Sequence, residues 1–237
     1  MRIDHYGPNE TGRDFVVGDI HGSYTLLMDT LTDIGFDFED DRLFSVGDLV
    51  DRGKENCRVL RLALDADWFI PVRGNHEEMF FEGVLGGDAA YLYHHGKWIK
   101  RESYKSWGMS RQEIAIAASL LDERLPIAIE ITHANGKRYG ITHAGVPNFE
   151  WEDALLNRFY LQWDRRIFLS GVKEPVKNID YVFHGHTHAT SDQPLRVANR
   201  IYLDTSVWIT KKLVIHEIGT EDTIGDCSNK LIFANAD

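Results

Sequence analysis

The sequence predicts a mixed α/β fold, two mixed sheets flanked by helices, in one domain spanning 1–237. Three observations predict it. A strand–loop–helix rhythm repeats through the first third of the chain, the pattern of units that lay strands side by side. Beyond about residue 124 the pattern turns to short apolar runs set between turns. No repeat, low-complexity stretch or linker interrupts the 237 residues, and 43% of them are hydrophobic, enough for one sizeable core.

Phe15-Val16-Val17 reads as a strand ending at Gly18-Asp19. Leu26, Leu27, Leu31 and Ile34 then recur at near-helical spacing, and Gly35 stops that helix. Leu43 to Val46 is the second strand, ending at Gly47-Asp48, and Val59, Leu60 and Leu64 mark the next helix. Phe69 to Val72 leads into Arg73-Gly74-Asn75, with a helix after His76. Ser110-Arg111-Gln112-Glu113 is a capping box that opens a helix through about Arg124. Ile127–Ile131 and Arg138–Ile141 flank Asn135-Gly136, a hairpin signal. Tyr181–Phe183, Arg200–Leu203 and Leu213–Ile215 are further strand-like runs.

The net charge of −11 counts against a broad nucleic-acid surface, which relies on Lys and Arg to neutralise phosphates. No long apolar stretch predicts a membrane span, and Met1 to Arg13 lacks the apolar region of a signal peptide. Two cysteines, Cys57 and Cys227, far apart and outside any Cys-x-x-Cys pattern, predict a reduced, cytoplasmic chain.

The polar residues just after the strands carry the chemistry. They form Gly18-Asp19-Ile20-His21-Gly22, Gly47-Asp48-Leu49-Val50-Asp51-Arg52-Gly53 and Arg73-Gly74-Asn75-His76-Glu77. In open α/β sheets ligands bind at the carboxyl ends of strands. Asp19 and His21 are two apart, so in extended backbone they point the same way and one ion could take both. Asp48 could bridge two ions through its two oxygens, and Asn75 offers an amide oxygen. His143 and His186 also end strand-like runs. Single Asp, Asn and Gly residues are ordinary in turns. Six ligand-type residues at several strand ends predict two divalent metal ions, and the mixed carboxylate, amide and imidazole set suits manganese first, or iron or zinc.

These blocks, with His143-Ala144-Gly145 and Gly185-His186-Thr187, resemble the metallophosphoesterase superfamily, and within it the PPP-type serine/threonine phosphatases, especially the bacteriophage-lambda-like and bacterial members. Asp51-Arg52-Gly53 points to that branch, and the motifs cover most of the chain. The resemblance implies a calcineurin-like α/β sandwich. It implies hydrolysis of phosphoserine and phosphothreonine, and of phosphotyrosine as a further substrate, in phosphoproteins or phosphopeptides by a hydroxide held between two metals. One metal would take Asp19, His21 and Asp48, the other Asp48, Asn75, His143 and His186. His76 would act as general acid, oriented by Asp51. Arg52, Arg73 and Arg165 would bind the phosphate, although Asp164 stands where the family usually has Asn before that last arginine.

The Gly-His-Thr motif continues to His188, where lambda-like members carry proline. His188 is expected as an extra ligand of the first metal; the other reading is a supporting or surface histidine. Glu77 reads as a helix N-terminal acid and His184 as structural. Residues 89–111, which hold Lys97, Lys100, Arg101, Lys105 and Arg111 among aromatics, read either as a substrate-facing cap or as a solvated helical face with aromatic packing beneath. The competing function is symmetrical cleavage of dinucleoside tetraphosphates, an enzyme class that shares these motifs. A binding-only relative would require loss of a ligand or of the acid, and all are present.

Overall fold

The computed structural model describes residues 2–85, 107–188 and 193–225. Strands β1 (Ile3–Tyr6), β5 (Ala128–Thr132), β6 (Arg138–Thr142), β7 (Tyr181–His184), β9 (Arg200–Tyr202) and β8 (Leu195–Val197) form one mixed sheet in the order β1-β5-β6-β7-β9-β8. Strands β10 (Ile215–Glu217), β2 (Asp14–Val17), β3 (Arg42–Ser45) and β4 (Phe69–Pro71) form the other, in the order β10-β2-β3-β4. Helices α1 (Tyr24–Asp33), α2 (Asn56–Asp65), α3 (Asn75–Leu85) and α4 (Arg111–Arg124) follow the strands of the first half; α5 (Arg158–Trp163), α6 (Arg166–Leu169) and α7 (Val207–Thr210) are short.

Alternation along the strands makes the layers, because successive side chains leave a strand on opposite faces. Phe15, Val17, Leu43 and Phe69 pack with Leu27, Leu31, Leu60, Phe80 and Leu121 of the helices. Their neighbours Val16 and Phe44 face the other sheet, against Ile129, Ile131, Ile141, Phe183 and Ile201. A third apolar cluster, including Ala128, Trp151, Leu161 and Val182, covers the outer face of the six-stranded sheet. The β2, β3 and β4 ladder is parallel, as are the β6–β7 and β7–β9 pairs, so their carboxyl ends open toward one edge of the sandwich.

The two mixed sheets agree with the sequence reading, as does the capping box, in which the Ser110 side chain accepts from Glu113 N and Glu113 reaches back to Ser110 N. Two strands are additions. β1 lies in the Met1 to Arg13 segment, where no apolar run signalled a strand; it is held by parallel pairing with β5 rather than by its own hydrophobicity. β8 owes its place to antiparallel pairing with β9. The last strand begins at Ile215, two residues later than the apolar run suggested. Of the 89–111 segment only residues 107–111 are described: Trp107 is buried against Phe80, with ring centroids 5.7 Å apart, and the remainder, Lys97, Lys100, Arg101 and Lys105 included, lies outside the described residues. Among the described residues no helix is long and apolar enough to cross a membrane.

One buried acid ties the turn before β3 to the rest. Asp41 accepts from Arg13 N at 2.6 Å, from the Arg13 guanidinium at 2.7 Å and from Asp37 N at 3.0 Å. Burial pushes its pKa up, but these donors outweigh it and the net shift is downward. A carboxylate depressed in the folded state stabilises fully above its unfolded pKa, and that contribution fades as pH falls through the folded value. Asp41→Asn therefore costs about 1–3 kcal/mol at neutral pH. The gap to the parent protein in denaturant melts narrows below the usual carboxylate range; a pH-independent gap would show that the charge is not involved.

Candidate active site

The loops after β2, β3 and β4 are zipped together by backbone. Ile20 N and His21 N donate to Asp48 O at 3.1 and 2.8 Å, and Gly22 N donates to Leu49 O at 2.8 Å. Glu77, wholly buried at the start of α3, accepts from the backbone N–H groups of Asp48, Leu49 and Gly74 at 2.8 to 3.0 Å, and from Val50 N at 3.3 Å. This goes beyond the helix-end role read from sequence: the carboxylate is the clasp that shapes the Asp48 loop. Burial and the nearby Asp48 push its pKa up to about 7, and the Leu49 N–H donor pulls the other way. Glu77→Gln turns an NH2 toward these donors, leaving buried N–H groups unpaired at about 1–3 kcal/mol each. It should lower both Tm and bound metal; unchanged values for both would remove the clasp role.

Close approach also demands glycine at two points. A side chain at Gly185 would run into Asp19 Oδ1, and one at Gly74 into the backbone N and Oδ1 of Asp48. Six non-glycine residues here, His21, Asp48, Asp51, Arg52, His186 and Ser206, have φ between 42° and 71°. Left-handed backbone costs such residues about 1–2 kcal/mol each, and strain of this kind gathers where a site needs particular side-chain directions.

Asp48 is the centre. Its Oδ2 lies 3.6 Å from His21 Nε2 and 3.9 Å from His76 Nε2, and its Oδ1 lies 3.2 Å from His143 Nε2. Asp19 Oδ2 is 4.0 Å from His21 Nε2, and both Asp19 oxygens accept from His186 N at 3.2 Å. Asn75 Oδ1 is 2.8 Å from His143 Nε2 and 3.0 Å from His186 Nδ1. Two compact groups result, His21–Asp48–His76 and Asp48–His143–His186, sharing Asp48.

The donors fit divalent ions. His21 Nδ1 is spent on Val50 O at 2.8 Å, and His143 Nδ1 on Val46 O at 2.8 Å, which turns each Nε2 toward the carboxylates. His21 Nε2 is buried without a hydrogen-bond partner. Burial holds His21 and His186 neutral, with pKa values down to about 3, so each imidazole can present a lone pair. Burial, then Asp204, then Asp48 push Asp19 well up. Carboxylates buried this close resist joint ionisation unless a cation lies among them.

Around this cluster, His76 Nδ1 is 2.7 Å from Asp51 Oδ2 and His76 Nε2 is 3.3 Å from an Arg52 nitrogen. Arg165 Nε is 3.2 Å from His186 Nε2. The structure thus gathers Asp19, His21, Asp48, Asn75, His143 and His186 with His76, Asp51, Arg52 and Arg165.

Two residues expected at the site, Arg73 and His188, are placed apart from the two compact groups. Arg73 was read as a phosphate ligand, but its guanidinium sits 3.2 Å from Glu78 and 2.6 Å from Asp122 and lies over the Phe81 ring. Its own N–H donates to Pro126 O, and the side chain is held between acids of α3 and α4 by charge-assisted pairs. His188, expected as a ligand, joins neither compact group, as Asp19 does not, and its Nδ1 is buried without a hydrogen-bond partner, as His21 Nε2 is. The i, i+2 argument assumed extended backbone, and His186 is left-handed at φ 63°. Asp204, 3% exposed, was missed altogether, although it follows β9 as Asp19 and Asp48 follow their strands. A groove of about 1060 Å³ lies elsewhere, lined by Tyr24, Phe38, Arg58 and Trp68 among others, and none of these site residues lines it.

A two-sheet α/β sandwich with shared-carboxylate imidazole groups at its strand ends defines a metallophosphoesterase. The sequence matches the calcineurin-like phosphoesterase family over residues 15–190, and the chain belongs to that family. It is 37% identical over 209 residues to serine/threonine-protein phosphatase 2 of Escherichia coli (strain K12), covering 86% of this chain and 92% of that protein. It is 31% identical to serine/threonine-protein phosphatase 1 of Salmonella typhimurium, with 86% and 91% covered. It is also 29% identical over 146 residues to a symmetrical bis(5'-nucleosyl)-tetraphosphatase of Wigglesworthia glossinidia brevipalpis, covering 60% of this chain and 48% of that one. Among solved structures, one provisionally described as a diadenosine tetraphosphatase superposes with TM-score 0.62 at 22% identity, covering 92% and 95% of the two chains. At that identity the likeness speaks for the fold.

Proposed function

We propose that the protein is a metal-dependent phosphomonoesterase acting on phosphoserine and phosphothreonine in proteins. The observation that carries the reading is the 37% identity to a serine/threonine-protein phosphatase over 86% of this chain and 92% of that protein, against 29% identity to the symmetrical tetraphosphatase over 60% and 48%, and 22% identity to an asymmetrical one over 92% and 94%.

Asp19, His21 and Asp48 would hold one divalent ion, and Asp48, Asn75, His143 and His186 the second, with manganese, iron or zinc suited to the donors. Bound there, such ions supply positive charge against the phosphate and acidify water. The side chains do the rest. Arg52 and Arg165 stand beside His76 and His186, where planar guanidinium groups can fork onto phosphate oxygens. His76 presents Nε2 to the cleft while Asp51 holds Nδ1, so Nε2 is the atom that hands a proton to the departing alkoxide. Burial lowers the pKa of His76, but Asp48 and then Asp51 outweigh it, so the net shift is upward and favours the proton-carrying form.

The test is manganese-loaded protein given a phosphoserine/phosphothreonine peptide and diadenosine tetraphosphate side by side, with released phosphate and nucleotide measured. Higher kcat/KM on the peptide supports the proposal. Preference for the dinucleotide moves the enzyme to symmetrical tetraphosphate hydrolysis at the same residues.

A further inference from the structure

We propose that Trp208 makes the mouth of this site an aryl-binding surface, so that phosphate esters of flat aromatic groups, such as the phenyl ring of phosphotyrosine, are held more tightly than esters of alkyl groups. The inference rests on the phosphomonoesterase reading for the anion and on the geometry of Trp208 for the ring.

Trp208 and Ile209 point outward from α7, 38% and 62% exposed, while Val207 before them is buried. Trp107 and Trp151, by contrast, lie in the interior. The Trp208 ring carries the Arg52 guanidinium 5.2 Å from its centroid, and Arg52 in turn lies 3.3 Å from His76 Nε2. The indole is therefore one side chain removed from the atom that serves the leaving group. The organic part of an ester departs on the side of its general acid, so a flat leaving group meets the indole there, whereas a serine methylene is too small to reach it. Offset or edge contacts between rings add to simple burial, and the guanidinium that would bind the phosphate already fixes the indole.

The turn that presents Trp208 is firmly built. Ser206 and Lys211, at φ 50° and 59°, bracket α7 in left-handed conformations. Buried Asp204 accepts from Ser206 N at 2.7 Å, Thr205 Oγ1 donates to Lys212 O at 2.6 Å, and Lys211 Nζ donates to Trp208 O at 2.7 Å. An exposed indole held in this way is preorganised for a ring, which lowers the ordering cost of binding.

Calorimetry with phenylphosphonate and methylphosphonate on the manganese-loaded protein tests this without requiring turnover. The wild type should bind the phenyl ligand about threefold to tenfold more tightly. Trp208→Leu should erase that preference and Trp208→Phe should keep most of it. Equal affinities in the wild type overturn the proposal, and so does a preference that survives Trp208→Leu. Parallel loss of both ligands in Trp208→Leu, with Trp208→Phe no better, also overturns it, because Trp208 would then only hold Arg52. Failure to release phosphate from any peptide, with the aryl preference intact, would sink the phosphatase reading and leave this one standing.

Discussion

Replacing His76 by asparagine is expected to lower kcat by about 10²- to 10⁴-fold, the range lost with a general acid, while metal content stays near wild type. The second half of this expectation carries the information. His76 Nε2 is 3.9 Å from Asp48 Oδ2, and distance alone would admit it as a ligand. Its surroundings argue otherwise: Nδ1 is committed to Asp51 at 2.7 Å, and an Arg52 nitrogen stands 3.3 Å from Nε2, where a bound cation would face a guanidinium. Elemental analysis of the purified variant decides between the roles. Loss of metal in step with loss of activity would make His76 a ligand and leave the proton donor to be found.

Asp48→Asn should fail one step earlier, at metal loading. Asp48 is the residue common to both compact groups, 3.6 Å from His21 and 3.2 Å from His143. An amide keeps one weakly basic oxygen and removes the charge both ions would share. Losing a supporting partner of a ligand already costs about 10- to 100-fold in metal affinity, so losing the shared carboxylate should exceed that for both ions. Competition with a chelator followed by metal analysis measures it. Retention of two ions with low kcat would show that the two groups load independently of Asp48.

Much of the site was legible in the sequence because its elements are short-range. Asp19 and His21, or Asp51 and Arg52, sit in single loops directly after apolar strands, and the parallel strands bring those loops to one edge. The two-sheet fold was legible for a related reason, since alternation of apolar residues assigns each strand two faces, as Phe15 and Val16 show. The direction of Arg73 was not legible because the motif records only that an arginine precedes Gly74; which way it turns depends on Glu78 and Asp122, one of them 49 residues away. The placing of His188 was not legible because parity fails where the backbone turns left-handed at His186. Glu77 was read as a helix-end acid, whereas three of its four backbone donors, those of Asp48, Leu49 and Val50, come from a loop that the chain order alone does not place beside it.

The sequence by itself determined the types of candidate ligand, their attachment to strand ends and the α/β sandwich, all set by local pattern and by the chemistry each side chain carries. Only the tertiary structure decided that Arg165 and Arg52 flank the cluster while Arg73 turns to Glu78 and Asp122, that Glu77 clasps the Asp48 loop, and that Trp208 stands against Arg52. Those are facts of direction and distance between segments far apart in the chain, and they follow from packing, strained loops and buried hydrogen bonds that no single stretch of residues contains.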